Sequence, residues 1–283
     1  MRNYPRTVSM SEQQRIEAEI DELEEILLEE VEMFLSRIDI EPMRNHLHEI
    51  VFVSNTALPK RTDRLQSTAP YIAATIYDGL ANTDFHRRDL LRFSVVVQEY
   101  YDVFDDLLDG DVERSRWEEV FCAHELMIPL LIQDLYQLGA DTVEYWTQRT
   151  TKMMVGPYTE LVVDPEAELY LQIVDNQSLL YGSITGLAAH IAGSSTEKRR
   201  YAEQLGCLFF KLHQFTLDLE QHGTDDDSWN AWSLLGVPQA TELFYWYQDK
   251  AIELAGELPS KEASRLRSFA AIDLESKKTD ATL

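Results

Sequence analysis

The chain has 283 residues, 45% of them hydrophobic with five Trp and thirteen Tyr, enough apolar matter for a sizeable core and too much for a disordered chain. Its two cysteines, Cys122 and Cys207, exclude a disulfide scaffold, and no apolar run approaches the roughly 18 residues that a membrane span needs. A net charge of −25, from 50 acidic against 25 basic residues, makes duplex nucleic acid and anionic membrane surfaces poor partners.

Helical periodicity dominates the chain. Ser11 opens a capping-box pattern with Gln14, and Ile16, Ile20, Leu23, Leu27, Val31 and Phe34 then recur at three- and four-residue steps. Pro42, Pro59 and Pro70 punctuate the next stretch, which predicts shorter helices near 43–55 and 71–80. Residues 89–108 hold neither Pro nor Gly, are rich in apolar side chains and end at Gly110, the pattern of a buried helix. Further helices are predicted near 117–138, 141–163, 166–192, 196–222, 239–256 and 260–275, with Pro129 and Gly156 kinking or breaking two of them. Hairpin signals are absent, and no linker or repeat divides the chain. The expectation is one all-α domain over 1–283, with a loop at Gly223–Asp227 and flexible tails at 1–10 and 276–283. The N-terminal MRNYPRTVSM lacks a signal peptide's apolar stretch. The Lys-poor acid surplus suits a soluble, cytoplasmic protein of a halophile.

Asp105-Asp106-Leu107-Leu108-Asp109 closes the buried helix. Asp105 and Asp109 are i, i+4 neighbours on one face, and Asp106 flanks Asp109 at i+3. Carboxylates there meet the unfavourable end of the helix dipole, a cost that a bound cation removes. Oxygen-only ligands at this spacing suit Mg²⁺, which keeps several waters and takes substrate phosphates to complete its shell.

An apolar helix ending in D-D-x-x-D, inside an all-α chain of this length, resembles the trans-isoprenyl diphosphate synthases. Other stretches match in order. Gly156 to Leu161 resembles that family's G-Q-x-x-[DE]-L, and Tyr170 to Tyr181 its Y-L-x-I-x-x-x-K-T-x-x-L helix. Leu205 to Asp218 resembles the L-G-x-x-F-Q-x-x-D-D-x-x-D helix once one extra residue is allowed after the glycine. Ala251, Leu258 and Pro259 match the C-terminal A-x-x-x-x-x-x-L-P. The likeness implies the isoprenoid synthase fold, a single helical bundle around a central apolar cavity.

The departures from that family are selective. Its G-K-R-x-R-P, which holds isopentenyl diphosphate, falls on Leu65 to Pro70 and keeps only Pro70, with Lys60, Arg61 and Arg64 upstream. The paired arginines become Arg114-Ser115, followed by Arg116, and the K-T pair becomes Gln177-Ser178. The second acid motif becomes Gln214 to Asp218, with Lys211 in place of the Gln ahead of it. Without the extra residue, its acids fall on His213, Gln214 and Leu217. A pyrophosphate needs several charge-assisted hydrogen bonds, and the donors for a second one are mostly gone.

The resemblance therefore implies Asp105, Asp106 and Asp109 as catalytic residues. It implies Asp105, Asp109 and Asp218 as Mg²⁺ ligands, and Arg114 and Lys211 as diphosphate donors. Gln214, Asp218 and His222 keep the i, i+4, i+8 spacing of the class I terpene synthases' second metal motif without its chemistry. Tyr100, Tyr101, Phe104 and Phe210 wall the prenyl pocket, with the tyrosines closing its floor to about C10 to C15, or C20 at most. The leading expectation is a terpene synthase-like enzyme that ionises a short allylic prenyl diphosphate and lets the cation cyclise, lose a proton or capture water. The alternatives are a divergent chain-elongating prenyltransferase and a non-catalytic regulatory subunit of one. The family's habit implies a homodimer, or a heterodimer with a prenyl synthase.

Four histidines, His124, His190, His213 and His222, lack zinc-ligand spacing and are expected to be structural. Asp225 to Asp227 is expected to be a solvated turn. Trp229 and Trp232 follow the acid loop and are read equally as packing residues or as a cap on the cavity mouth, and the Phe244–Tyr247 run is divided between the core and a face for a partner subunit.

Overall fold

The structure is a computed structural model that describes residues 10–52, 65–223, 228–271 and 274. Among these residues every regular element is a helix. In chain order they are α1 (Met10–Leu35), α2 (Glu41–Val51), α3 (Thr68–Leu80), α4 (Arg87–Asp109), a 3₁₀ turn (Arg114–Arg116), α5 (Trp117–Leu138), α6 (Thr142–Met153), α7 (Val155–Val162), α8 (Ala167–Gln177), α9 (Leu179–Ile191), α10 (Thr196–Gln221), α11 (Ala231–Leu235), α12 (Val237–Ala255) and α13 (Ser260–Ala270). The all-α expectation holds. Lys60, Arg61, Arg64, Asp225 to Asp227 and the tail 276–283 lie outside the described residues.

Several boundaries differ from the sequence reading. Helix α1 already includes Met10, so Ser11 falls in its first turn and not at its cap. Helix α5 runs through Pro129 without ending. The predicted 141–163 helix does divide, but at Met154, two residues before Gly156. The 166–192 helix divides at Ser178, whose hydroxyl donates 2.8 Å to the carbonyl of Asp175 and competes with the next turn.

The chain separates into two compact units. One takes in the chain up to Ala18, Thr75–Asn82 and Trp146 onward; the other is Glu19–Ala74 with Thr83–Tyr145.

In the second of these, Leu23, Leu27, Val31 and Phe34 of α1 and Leu47, Ile50 and Val51 of α2 are all buried, the 3.6-residue stripe that the periodicity predicts. Helix α4 is buried on every side from Leu90 to Glu99 and packs along α5. That burial includes charge. The Arg92 guanidinium donates to Glu30 at 2.9 Å, Asp134 at 3.0 Å and Asp89 at 2.6 Å, and Arg37 adds a 2.9 Å contact to Asp134. Glu30 and Asp134 are fully buried, and the arginines set an opposite charge against each of them.

In the other unit the closest pairing is α9 with α10. Helix α10 starts at Ser195, whose hydroxyl accepts from the Lys198 amide at 3.3 Å. A Cβ added at Gly206 would sit 2.5 Å from the Tyr181 carbonyl oxygen, so only glycine allows α9 this close.

Candidate active site

Helix α4 carries the first acid cluster. Its dense apolar run buries the helix from Leu90 to Glu99, with Val103 and Leu107 buried beyond, and Gly110 (φ 76°) stops it directly after Asp109. Asp105 and Asp109 are exposed and Asp106 is half-buried. No basic residue occupies the last turn of α4, where the carboxylates meet the negative end of the helix dipole. Arg114 opens the following 3₁₀ turn and is exposed, whereas Arg116 is committed to a two-pronged pair with Glu119.

One turn upstream of Asp105 an aromatic cluster forms. Tyr100 stacks on His124 of α5 (ring centroids 4.0 Å, 18°), Phe104 lies over the same imidazole at 5.7 Å, and Tyr101 meets Tyr100 edge-on at 5.1 Å. His124 is buried, and that burial lowers its pKa against the opposing pull of Glu125, keeping the imidazole neutral at neutral pH. Burial, assisted by the Glu125 charge, pushes the Tyr100 hydroxyl up to about 12. The expected wall residues Tyr100, Tyr101 and Phe104 therefore sit together, with His124 as their unforeseen backing. Only its aromatic neighbours, not its sequence spacing, signal that role.

On α10 the outcome is different. The extra residue assumed for the second motif has no place, because α10 is regular α-helix from Thr196 to Gln221 and an insertion that kept both ends on their faces would appear as a π-turn. In the uninterrupted register the family's acids fall on His213, Gln214 and Leu217. Phe210, His213 and Leu217 share the face that also carries Gly206 (i, i+3, i+4, i+7 steps). There Phe210 meets Tyr181 edge-on at 5.2 Å and His213 stacks on it at 6.3 Å.

Asp218 belongs to another face and has another job. It is 1% exposed, and its carboxylate accepts from the Tyr170 hydroxyl at 2.5 Å, the Gln214 amide at 2.8 Å and the Ala231 backbone N–H at 2.7 Å. Its own carbonyl accepts from Asn230, whose side chain caps α11 through the Trp232 amide. Burial first, and the Asp218 charge second, push the Tyr170 hydroxyl far above the ordinary tyrosine range, so it stays a donor. These three donors occupy the carboxylate that the resemblance assigns to a metal. Gln214 is spent on the same group, and His222 Nδ1 lies 3.0 Å from Ser233 Oγ. Lys211 is likewise engaged, 2.5 Å from Asp175 and 5.1 Å above the Tyr247 ring. Gln177, in place of the family's lysine, donates to Glu160 at 3.2 Å across α7 and α8. Among the described residues no three His, Cys, Asp or Glu side chains converge on a metal position.

No family model and no curated protein matches the sequence. Solved structures do. Geranylgeranyl pyrophosphate synthase from Corynebacterium glutamicum aligns over 95% of this chain and 94% of its own at TM-score 0.70, with 16% identity. An FPP/GFPP synthase from Zymomonas mobilis aligns over 89% and 98% at TM-score 0.71, with 15% identity. Polyprenyl synthase from Caulobacter crescentus, complexed with calcium and isoprenyl diphosphate, aligns over 89% and 95% at TM-score 0.68, with 12% identity. The chain has the isoprenoid synthase fold. No helix of the described residues is long and apolar enough to cross a membrane.

Proposed function

We propose that the chain acts on an allylic prenyl diphosphate, bound through a divalent cation at Asp105 and Asp109, as a divergent prenyl diphosphate synthase. The observation that carries this reading is the pair of exposed carboxylates one turn apart at the C-terminal end of α4, within a fold whose solved examples are prenyl synthases. Two carboxylates suffice for Mg²⁺, which takes one or two from the protein and completes its shell with water and substrate phosphate. Bound there, the cation would neutralise the leaving diphosphate. Tyr100, Tyr101 and Phe104 then line the apolar tail, excluding water and offering aromatic faces to positive charge. Arg114, exposed five residues beyond Asp109, is the candidate diphosphate donor in this stretch. Asp218, Gln214 and Tyr170 are assigned to bracing α8, α10 and α11, outside the metal set.

One observation favours a second reading. With only Pro70 kept where the family's G-K-R-x-R-P holds isopentenyl diphosphate, a second prenyl unit would lack its diphosphate donors, and the allylic cation would go on to hydrocarbon or alcohol as a terpene synthase's does. The deciding experiment incubates the protein with Mg²⁺ and geranyl, farnesyl or geranylgeranyl diphosphate, with and without isopentenyl diphosphate, in low and high KCl. A longer diphosphate appearing only with isopentenyl diphosphate supports chain elongation. Hydrocarbon or alcohol without it supports the second reading. No product under any condition overturns both and leaves a regulatory subunit of an active synthase.

We also infer a homodimer. Trp117, Phe121, Ile132 and Tyr136 form an exposed apolar stripe along α5, each at least 41% accessible, with Trp117 and Phe121 stacked at 5.3 Å. A Phe121→Arg, Ile132→Asp variant should be monomeric in light scattering, and an unchanged mass would remove α5 from the interface.

A further inference from the structure

We infer that the unit holding α6 to α13 contains a second small-molecule site, which takes an uncharged, mostly hydrocarbon molecule carrying one hydroxyl. The site is a groove of about 540 Å³ bounded by α6, α9, α10 and α12. That volume lies within the roughly 300–1,000 Å³ of small-molecule pockets. Its walls are apolar, from Leu179, Leu208, Leu254 and the half-exposed ring of Trp246.

The charged residues around the groove leave nothing over for a charged ligand. Arg149 pairs with Glu203, Lys250 with Glu253 at 2.7 Å, and Lys211 with Asp175 of α8 at 2.5 Å. Three cations thus meet three carboxylates. A ligand bearing an ammonium or a carboxylate would have to break one of these pairs or lie unpaired against leucine and indole, and either is costly. An uncharged ligand disturbs none of them.

One polar group is left open. Ser183 of α9 lines the groove, is 1% exposed, and its hydroxyl has no hydrogen-bond partner among the described residues. Helical hydroxyls ordinarily bond back to a carbonyl of the preceding turn. Thr185, two residues on, does so, donating 2.8 Å to the Tyr181 carbonyl; Ser183 does not. A buried hydroxyl without a partner is costly, and a ligand hydroxyl can accept from it or donate to it. Lys211 and Cys207 lie on a different face of α10 from His213 and Leu217, so the groove is separate from the positions of the family's second acid motif.

The test is a titration of 1-octanol into the full chain without metal or prenyl substrate, read by calorimetry and by Trp fluorescence. Octanoate and octylamine, the same chain with a charged head, are the comparisons. Saturable octanol binding at one site per chain is expected. It should be about tenfold or more tighter than that of either charged ligand, each of which brings an unpaired charge into the groove. Ser183→Ala, with its helical spectrum intact, should weaken octanol binding several-fold through the lost hydrogen bond. Trp246→Ala, at a half-exposed ring, should weaken it several-fold through lost apolar contact and remove most of the fluorescence change. Absence of saturable binding, equal affinity for octanoate or octylamine, or the parent's affinity in either variant would each overturn the proposal. Because neither metal nor turnover enters the assay, its failure leaves the reading of α4 untouched, and the reverse is equally true.

Discussion

At the end of α4, Asp105 and Asp109 stand exposed against a helix C-terminus that has no basic residue in its last turn. Along α10, Asp218 is buried and satisfied by a tyrosine hydroxyl, a side-chain amide and a backbone N–H. The same side chain thus does opposite work. Placed in water at the wrong end of a dipole, a carboxylate gains little from the helix that carries it and is accessible to a cation. Placed in the interior with three donors, it ties helices together and has little left for a ligand. Acidic residues identified by motif alone do not separate these cases; their exposure and partners do.

The contrast is most sharply broken through catalysis. Asp105→Ala should lower turnover of a prenyl diphosphate by more than about 100-fold while leaving the helical spectrum intact. Its neighbour variant Asp109→Asn, assayed without metal, should leave stability unchanged or raise it by about 0.3–1 kcal/mol, since a like charge leaves the helix C-terminus. Asp218→Ala should do the reverse: it strands three buried donors and should cost about 3 kcal/mol or more in denaturant unfolding. If Asp218→Ala is as stable as the parent, the bracing role is wrong.

A smaller effect comes from alkaline pH. Burial, aided by nearby carboxylates, raises Tyr170, and pushes Tyr100 and Tyr247 up to about 12. The unfolded chain therefore loses these protons first, near the ordinary tyrosine value of about 10. Stability should hold below that pH and fall progressively from about pH 10 toward 12 and beyond. Tyr170→Phe should remove part of that slope, and an identical slope would argue against the Tyr170–Asp218 tie. Smallest and broadest is salt: KCl should raise Tm by screening the repulsion of 25 excess negative charges. A Tm that falls with KCl would contradict the expected high-salt adaptation.

Much of this was legible in the sequence because it is local. The apolar stripe of α1, the dense run of α4 and its stop at Gly110 follow from spacing and from one glycine. The aspartates of α4 are read from five consecutive residues. The ties of Asp218 are not local: Tyr170 lies 48 residues away and Ala231 13, and nothing in either stretch marks the partnership. The register of α10 was equally hidden. Leu205-Gly206 and Asp218 each match the family, but not both on one regular helix, and only an unbroken α10 decides which match gives way. The division at Ser178 depends on a hydroxyl bonding back to Asp175, a choice that the helix-favouring sequence around it conceals.

The most direct test of the account is equilibrium binding of geranyl diphosphate to the parent chain and to the Asp105→Asn, Asp109→Asn double variant, each with Mg²⁺ and with a chelator. Saturable binding that requires Mg²⁺ in the parent, and is lost in the double variant while the fold survives, is the predicted result. Binding that ignores both the metal and the two substitutions would contradict it and place the diphosphate elsewhere.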